Sequence, residues 1–377
     1  MATATPARSA GRGGGTLGAG MPTVSFVVNG SLARVSGRFV PLCREIATLR
    51  GWRAEFHVTD KAETGVAAAR SAAVGGADLV VAVGGDGTVR GCAEGLAGTG
   101  ITMGIIPHGT ANLLARTLGI PIHPRAALKT ALATVGVAGT ARTSDSAAPA
   151  AGGTALTSAT TSRDRVIDLA TADGATFTAM AGMGLDAAVI GATRLKHQFG
   201  WLAYAMSGAA HLKIPPTPFT IKLDGNPPID REARSVVVGN SGLLPGGFRL
   251  LPAARIDDGL LDIGVLAPHG PFGWPRVATR VLTHSQHQDQ MLERFQARTV
   301  EITAHAPLPR EVDGEVVAPG RTLTVTVRPG ALMIRVPANA RLSSAGFFFL
   351  LKQSEKTVNQ STRAGMAGLK ACQSLLP

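Results

Sequence analysis

Three short stretches combine residue types able to do chemistry. The first is Gly84-Gly85-Asp86-Gly87-Thr88, three glycines around one carboxylate. Such a backbone turns tightly and lets a ligand come close. Set between a strand and a helix, it would aim backbone N–H groups and the positive helix end at a phosphate. Asp86 narrows the reading, because a carboxylate beside phosphates repels them unless a divalent cation or ordered water lies between. The stretch therefore points to a magnesium-nucleotide site and not to a bare anion site; the simpler alternative is an ordinary strand-to-helix turn. No Gly-Lys-Ser/Thr ending follows it, which speaks against ordinary P-loop chemistry. The second stretch is Glu311-Val312-Asp313-Gly314-Glu315. Asp313 and Glu315 are two apart, a spacing that places both carboxylates on one side of a turn. One would serve as general base, with the other orienting it or reaching a metal. The third is Arg255-Ile256-Asp257-Asp258-Gly259-Leu260-Leu261-Asp262. Both acidic stretches also read simply as hairpin corners.

The elements that must hold these residues are legible in the apolar pattern. Leu79 to Val83 is an apolar run without alternation, as suits a parallel strand covered on both faces. A helix over Val89–Leu96 follows, with Asp86 or Thr88 as its cap. Val24–Val28 and Thr102–Ile106 read as further strands, closing on Asn29-Gly30-Ser31 and on Pro107-His108-Gly109-Thr110-Ala111-Asn112. Ala54–Thr59 is a shorter strand. Helices are expected over Gly37–Leu49, Ala62–Ala73, from Leu113, and over Ala126–Val135. Strands alternating with helices mean a parallel sheet with helices on both faces. Ligands of such sheets bind at the carboxyl ends of the strands, where these polar turns gather. Gly136 to Thr161 is Ala/Thr/Ser/Gly-rich and reads as a linker or insertion. From Arg165 short β-like runs dominate: Arg165–Ala170, Thr176–Met180, Phe219–Leu223, Ser235–Gly239, Leu261–Leu266, Val300–Ala304, Thr322–Val327 and Ala331–Val336. They predict an antiparallel sandwich, interrupted by a helix over Ala187–Ile214. The expected organisation is a tail (1–20), an α/β domain (21–135), a linker (136–164), a β-sandwich domain (165–338) and a second tail (339–377).

Length and composition agree with a two-domain globular protein. The chain has 377 residues, 45% hydrophobic and 16% charged, enough for sizeable cores. Its net charge of +12 implies acidic partners such as nucleotide phosphates or anionic lipid headgroups. Nucleic acid is disfavoured: the basic residues are scattered and Tyr204 is the single tyrosine, so no stacking platform forms. Cys43, Cys92 and Cys372 have no paired spacing, which fits a reducing cytoplasm and neither zinc nor a disulfide framework. No apolar run reaches the ~18–20 residues of a membrane span. The first twenty residues lack the apolar core of a secretory signal. Phe347–Lys352 is too short to span; packing or disorder is expected there. The sequence leaves a homodimer open.

Taken in order, Gly84–Thr88, Pro107–Asn112, Ala181-Gly182-Met183-Gly184-Leu185-Asp186-Ala187, Val238-Gly239-Asn240, Asp258–Asp262 and Val312–Glu315 resemble the blocks of the diacylglycerol kinase and sphingosine kinase catalytic-domain family of lipid kinases. The double-glycine block alone is shared with NAD kinases and phosphofructokinase-like enzymes; the later blocks point to lipid kinases of the bacterial type. The resemblance spans about Met21 to Ala338. It implies ATP bound in a cleft between the α/β and β-sandwich domains, a lipid hydroxyl as acceptor, and a cytoplasmic protein peripheral to the inner membrane face. Gly84 to Thr88 would wrap the phosphates. Asn29, Gly30, Ser31, Thr59, Gly109, Thr110 and Asn112 would line the nucleotide site, and Asp86 would act through Mg2+ and water. Asp258, with the backbone carbonyls of Arg255 and Leu260, matches a second, structural metal position. Glu315 or Asp313 would accept the lipid hydroxyl proton. The chain departs from the family at Arg90 and Gly91, where Asn and Glu are usual, so Arg90 would give phosphate a charged contact. It departs also at Gly30, where Pro is usual and glycine loosens the turn, and at Leu113-Leu114, where Asp-Phe often stands. The alternatives to a lipid kinase are a NAD kinase and a member that binds nucleotide or lipid without turnover.

Overall fold

A computed structural model describes residues 21–35, 39–59, 65–133, 162–184, 216–243, 249–269, 273–283 and 291–340. Residues 136–161 of the expected linker, the helix over Ala187–Ile214 and the tail beyond Ala340 lie outside the described residues, whereas Ser162, Arg163 and Asp164, expected as linker, already belong to a strand.

The first half is a parallel sheet of β1 (Thr23–Asn29), β2 (Arg53–Thr59), β3 (Leu79–Gly84) and β4 (Thr102–Pro107), in the order β4-β3-β1-β2. Every residue of β3 and β4 is buried, as their unbroken apolar runs require. Helices α1 (Gly30–Val35), α2 (Phe39–Leu49), α3 (Val66–Val74), α4 (Asp86–Leu96), α5 (Leu113–Thr117) and α6 (Pro124–Ala131) connect or cover the strands. The chain leaves β1 toward β2 on one side and β3 toward β4 on the other. The strand order thus reverses between β1 and β3, the place where open α/β sheets bind ligands.

Two local readings change. The turn after β1 is the start of a helix, α1, and not a loop. The helix after β3 begins at Asp86, three residues earlier than the apolar pattern indicates. Its N-cap is Gly85 in an extended conformation, and neither Asp86 nor Thr88 caps it. Asp86, Gly87 and Thr88 therefore form its first turn, where backbone N–H groups lack intrahelical partners.

The second half is mostly antiparallel, with β5 (Ser162–Ala172), β6 (Ala175–Phe177), β7 (Met180–Gly184), β8 (Thr217–Leu223), β9 (Ile229–Ala233), β10 (Ser235–Gly239), β11 (Leu261–Leu266), β12 (Leu292–Ala297), β13 (Thr299–Val312) and β14 (Glu315–Pro337). A helix, α7 (Gly273–Leu282), is inserted before β12. The run Thr176–Met180, expected as one strand, is divided between β6 and β7 at Thr178-Ala179. The amides there turn to a carboxylate, as described below. The runs Thr322–Val327 and Ala331–Val336 instead belong to one long strand, β14, whose register shifts between Arg328 and Leu332 around Pro329-Gly330. Alternating residues of these strands, among them Phe177, Met183, Ile221, Val238, Ile263 and Val325, build a second core.

The halves are not separate sheets. Met333 and Ile334 of β14 pair in parallel with Thr102 and Met103 of β4. Ile167, Leu169, Leu332, Ile334 and Val336 are buried in the same core as β1, β3 and β4.

Candidate functional site

The site is built at the carboxyl ends of β1, β3 and β4. Asn29 ends β1; its Nδ2 donates to Thr88 Oγ1 at 3.2 Å, and its Oδ1 accepts the Ser31 N–H at 3.0 Å. This ties the loops on either side of the strand-order reversal. Gly30 is required by contact: a Cβ there would lie 2.2 Å from the Thr59 carbonyl oxygen. Glycine thus does not loosen this turn; it lets α1 start hard against the end of β2. Gly85 and Gly109 bring the second and third loops together, since a Cβ on Gly109 would stand 2.6 Å from Gly85 Cα. His108, Gly109 and Thr110 are exposed beside them, and Thr59 is buried.

Asp86 has a defined structural task. Its two carboxylate oxygens accept the N–H groups of Asn112 (2.9 Å) and Leu113 (2.6 Å) at the start of α5. Asn112 sits in the left-handed region (φ 47°). Its side-chain amide folds back on Gly109, accepting from the N–H at 2.9 Å and donating to the carbonyl at 2.6 Å. The glycine block and the Pro107–Asn112 block are therefore one hydrogen-bonded unit.

The acids of the second half reach the site through the β13–β14 hairpin. Val312 pairs with Glu315, leaving a two-residue turn in which Asp313 and Gly314 both have positive φ (49° and 80°). That is the turn Asp-Gly favours between antiparallel strands. The hairpin reading holds, but the turn does not place both carboxylates on one side. Asp313 points inward: its carboxylate accepts the N–H groups of Thr178 (2.9 Å), Ala179 (2.8 Å) and Met180 (3.2 Å), and the Thr178 hydroxyl (3.2 Å). Burial pushes its carboxyl up from the ordinary range, against the pull of these amides and of the Arg90 guanidinium. Glu315 points outward, with its side chain 61% exposed, and accepts from Arg90 Nη2 at 2.6 Å. Its Oε1 lies 3.8 Å from where a Cβ of Gly87 would be. The structure thus joins Arg90, Gly87 and Glu315, residues from opposite halves of the chain. Asp313 is engaged by backbone and holds the hairpin in place.

The turn containing Arg255, Asp258 and Leu260 lies before β11. Asp258 Oδ1 accepts the Leu260 N–H at 3.1 Å. Its carboxyl is pushed up by burial and by the charge of Asp168. Nearby Asp262 is pushed up to about 6, mainly by burial with Asp258 adding, and its Oδ2 is buried without a hydrogen-bond partner. Among the described residues no hydrogen bond or ion pair joins this turn to the glycine loop.

Two organising residues carried no role in the sequence reading. Asp168, buried in β5, accepts the N–H groups of Gly259 and Gly330, both at 2.7 Å. Asn240 donates to the carbonyls of Asp168 (3.0 Å) and Thr178 (3.2 Å). The available signal was one acid inside the apolar run Val166–Ala170.

Known proteins share this fold. Residues 24–142 match the Diacylglycerol kinase catalytic domain, and residues 179–336 match the YegS C-terminal NAD kinase beta sandwich-like domain. A probable lipid kinase YegS-like from Pseudomonas syringae is 31% identical over 304 residues, covering 77% of this chain and 86% of the relative. A diacylglycerol kinase from Bacillus subtilis is 30% identical over 271 residues, covering 70% and 80%. The crystal structure of a putative diacylglycerol kinase from Bacillus anthracis shares the fold, with a TM-score of 0.65 at 21% identity, covering 86% of this chain and 99% of that one. The chain belongs to the diacylglycerol kinase catalytic-domain family of lipid kinases.

Proposed function

We propose that the chain transfers the γ-phosphoryl group of ATP to a lipid hydroxyl, with a diacylglycerol or a sphingoid- or ceramide-like alcohol as acceptor. The observation that carries this reading is the meeting of Glu315 with the glycine loop through Arg90 at 2.6 Å. It sets an exposed carboxylate beside the first amides of α4, where phosphate oxygens would bind. In the reaction the lipid oxygen forms a bond to the γ-phosphorus. The bond from that phosphorus to the bridging oxygen breaks, and ADP leaves with the electron pair. Glu315 takes the hydroxyl proton. Asp313 holds the hairpin that presents Glu315. Catalysis of this kind is largely positioning and charge stabilisation.

Among the described residues no group of three or more His, Cys, Asp or Glu could hold a metal by itself. That fits Mg2+ arriving with the nucleotide, since such ions need only one or two protein carboxylates besides phosphates. Asp86 and Glu315 are the acids that would face it, and it would neutralise developing phosphate charge. The orphaned Asp262 Oδ2 and the crowding of Asp168 against Asp258 fit a second cation. Asp258 and the carbonyls of Arg255 and Leu260 would hold it. No helix among the described residues is long and apolar enough to cross a membrane. The net charge of +12 supports docking at an anionic lipid surface, where each nearby cation contributes about 1 kcal/mol.

The test is γ-labelled ATP with Mg2+ and a panel of lipid alcohols in mixed micelles, alongside Asp86→Ala, Asp313→Ala and Glu315→Ala. Label entering a lipid in the parent and lost in the variants supports the reading and names the acceptor. Label on NAD instead makes the chain a NAD kinase. ATP binding without transfer makes it a binding protein.

A further inference from the structure

Arg90 bridges the two halves, and only one of its donors is engaged in doing so. It lies on α4 one turn after Asp86, so the two share a helix face. Its side chain is only 18% exposed, although its partner Glu315 is 61% exposed. A guanidinium offers five N–H donors in a rigid planar fork. Nη2 serves Glu315, and the other donors of the fork have no hydrogen-bond partner among the described residues. Its charge also reaches Asp313 in the same hairpin.

We infer that Arg90 is a positioning residue with two simultaneous partners. One donor fixes Glu315 over the glycine loop, and the rest of the fork takes terminal phosphate oxygens of the nucleotide. A single planar group then aligns the base and the phosphoryl group across the cleft. The role toward Glu315 rests on the lipid-kinase reading; the role toward phosphate does not. Lysine cannot reproduce it, being a point charge without the fork.

The test uses the full chain with Arg90→Gln, Arg90→Lys, Arg90→Ala, Glu315→Gln and the double variant Arg90→Gln/Glu315→Gln. Arg231→Gln, which removes a half-exposed pair with Glu293, serves as a control expected to behave as the parent. Arg90→Gln is expected to lower kcat about tenfold or more and to raise the KM for ATP about tenfold, with the lipid KM within about twofold. Arg90→Lys should recover less than about a tenth of the lost rate. Methylguanidinium should restore Arg90→Ala, and methylammonium should not. On the Glu315→Gln background, where transfer is lost, Arg90→Gln should still weaken ATP binding about tenfold in a calorimetric titration, because the phosphate contact does not depend on Glu315. Full activity of Arg90→Lys, or ATP affinity equal in Glu315→Gln and the double variant, overturns the inference. If the parent labels no lipid, the kinase reading fails, and calorimetric ATP titration still judges Arg90. Affinity about tenfold weaker in Arg90→Gln supports the phosphate contact. Equal affinity, or no ATP binding by the parent, overturns it.

Discussion

Gly30 and the hairpin acids show how single positions divide between shape and chemistry. A Cβ at Gly30 would meet the Thr59 carbonyl oxygen at 2.2 Å, a backbone atom with little room to retreat. Gly30→Ala is expected to cost about 1–3 kcal/mol, the usual range for overpacking, read as a lowered urea midpoint at unchanged slope. Asp313 and Glu315 should separate cleanly under the same measurement. Asp313 accepts four donors, so Asp313→Asn turns an acceptor into an N–H2 facing amide N–H groups. It should cost at least about 2 kcal/mol. Glu315 is exposed, and Glu315→Gln should change stability by no more than about 0.5 kcal/mol while abolishing phosphoryl transfer. Equal loss of stability in both would remove the distinction between a structural and a reacting acid. Sequence shows both carboxylates but not which way each turns, because direction depends on where Thr178, Ala179 and Met180 present their amides.

At the scale of elements, the carboxylate of Asp86 fastens one helix to another. It begins α4 and accepts the first amides of α5. Asp86→Ala should lower stability by about 0.5–2 kcal/mol, as loss of a cap does. It should also speed hydrogen exchange at the Leu113 amide; unchanged exchange there would show that α5 does not depend on it. The helices carry a second test. Burial pushes the thiols of Cys43 in α2 and Cys92 in α4 up to about 12. The thiolate is the reactive form, so iodoacetamide at pH 8 should leave both unmodified in the folded chain and alkylate both in denaturant, as mass spectrometry would show. The sign follows: folding favours the neutral thiols fully below their unfolded value of 9.0, and that preference is lost as pH rises toward about 12. Strands β1, β3 and β4 were legible because fully buried parallel strands must be continuously apolar. The start of α4 was not, since an extended Gly85 lets polar residues form its first turn. The split between β6 and β7 was equally hidden, because its cause is Asp313, over a hundred residues away.

At the scale of the whole molecule, the fold class follows from the change of pattern near Arg165, but the joining of the two halves does not. Nothing in Ala331–Val336 marks it as a strand that leaves one β-rich unit to complete the edge of another. Yet Met333 and Ile334 pair with β4, and Ile167, Leu332, Ile334 and Val336 are buried in the first core. The residues of the candidate site inherit their relation from this arrangement. β14 begins at Glu315, beside the glycine loop, and ends against β4, the strand that leads to Pro107–Asn112. Its two ends therefore fix Glu315 relative to the glycine loop and the Pro107–Asn112 turn through one continuous strand. If so, the halves cannot unfold independently. The described residues should melt in one transition, with calorimetric and van't Hoff enthalpies equal, the test of two-state behaviour. Ile334→Ala should cost about 2–5 kcal/mol, as deletion of buried aliphatic groups does, and should lower that single transition as a whole. Splitting into two transitions, with only one responding to Ile334→Ala, would mean that the β14–β4 pairing is a contact between separately stable domains. The position of Glu315 over the loop would then depend on the Arg90 pair alone.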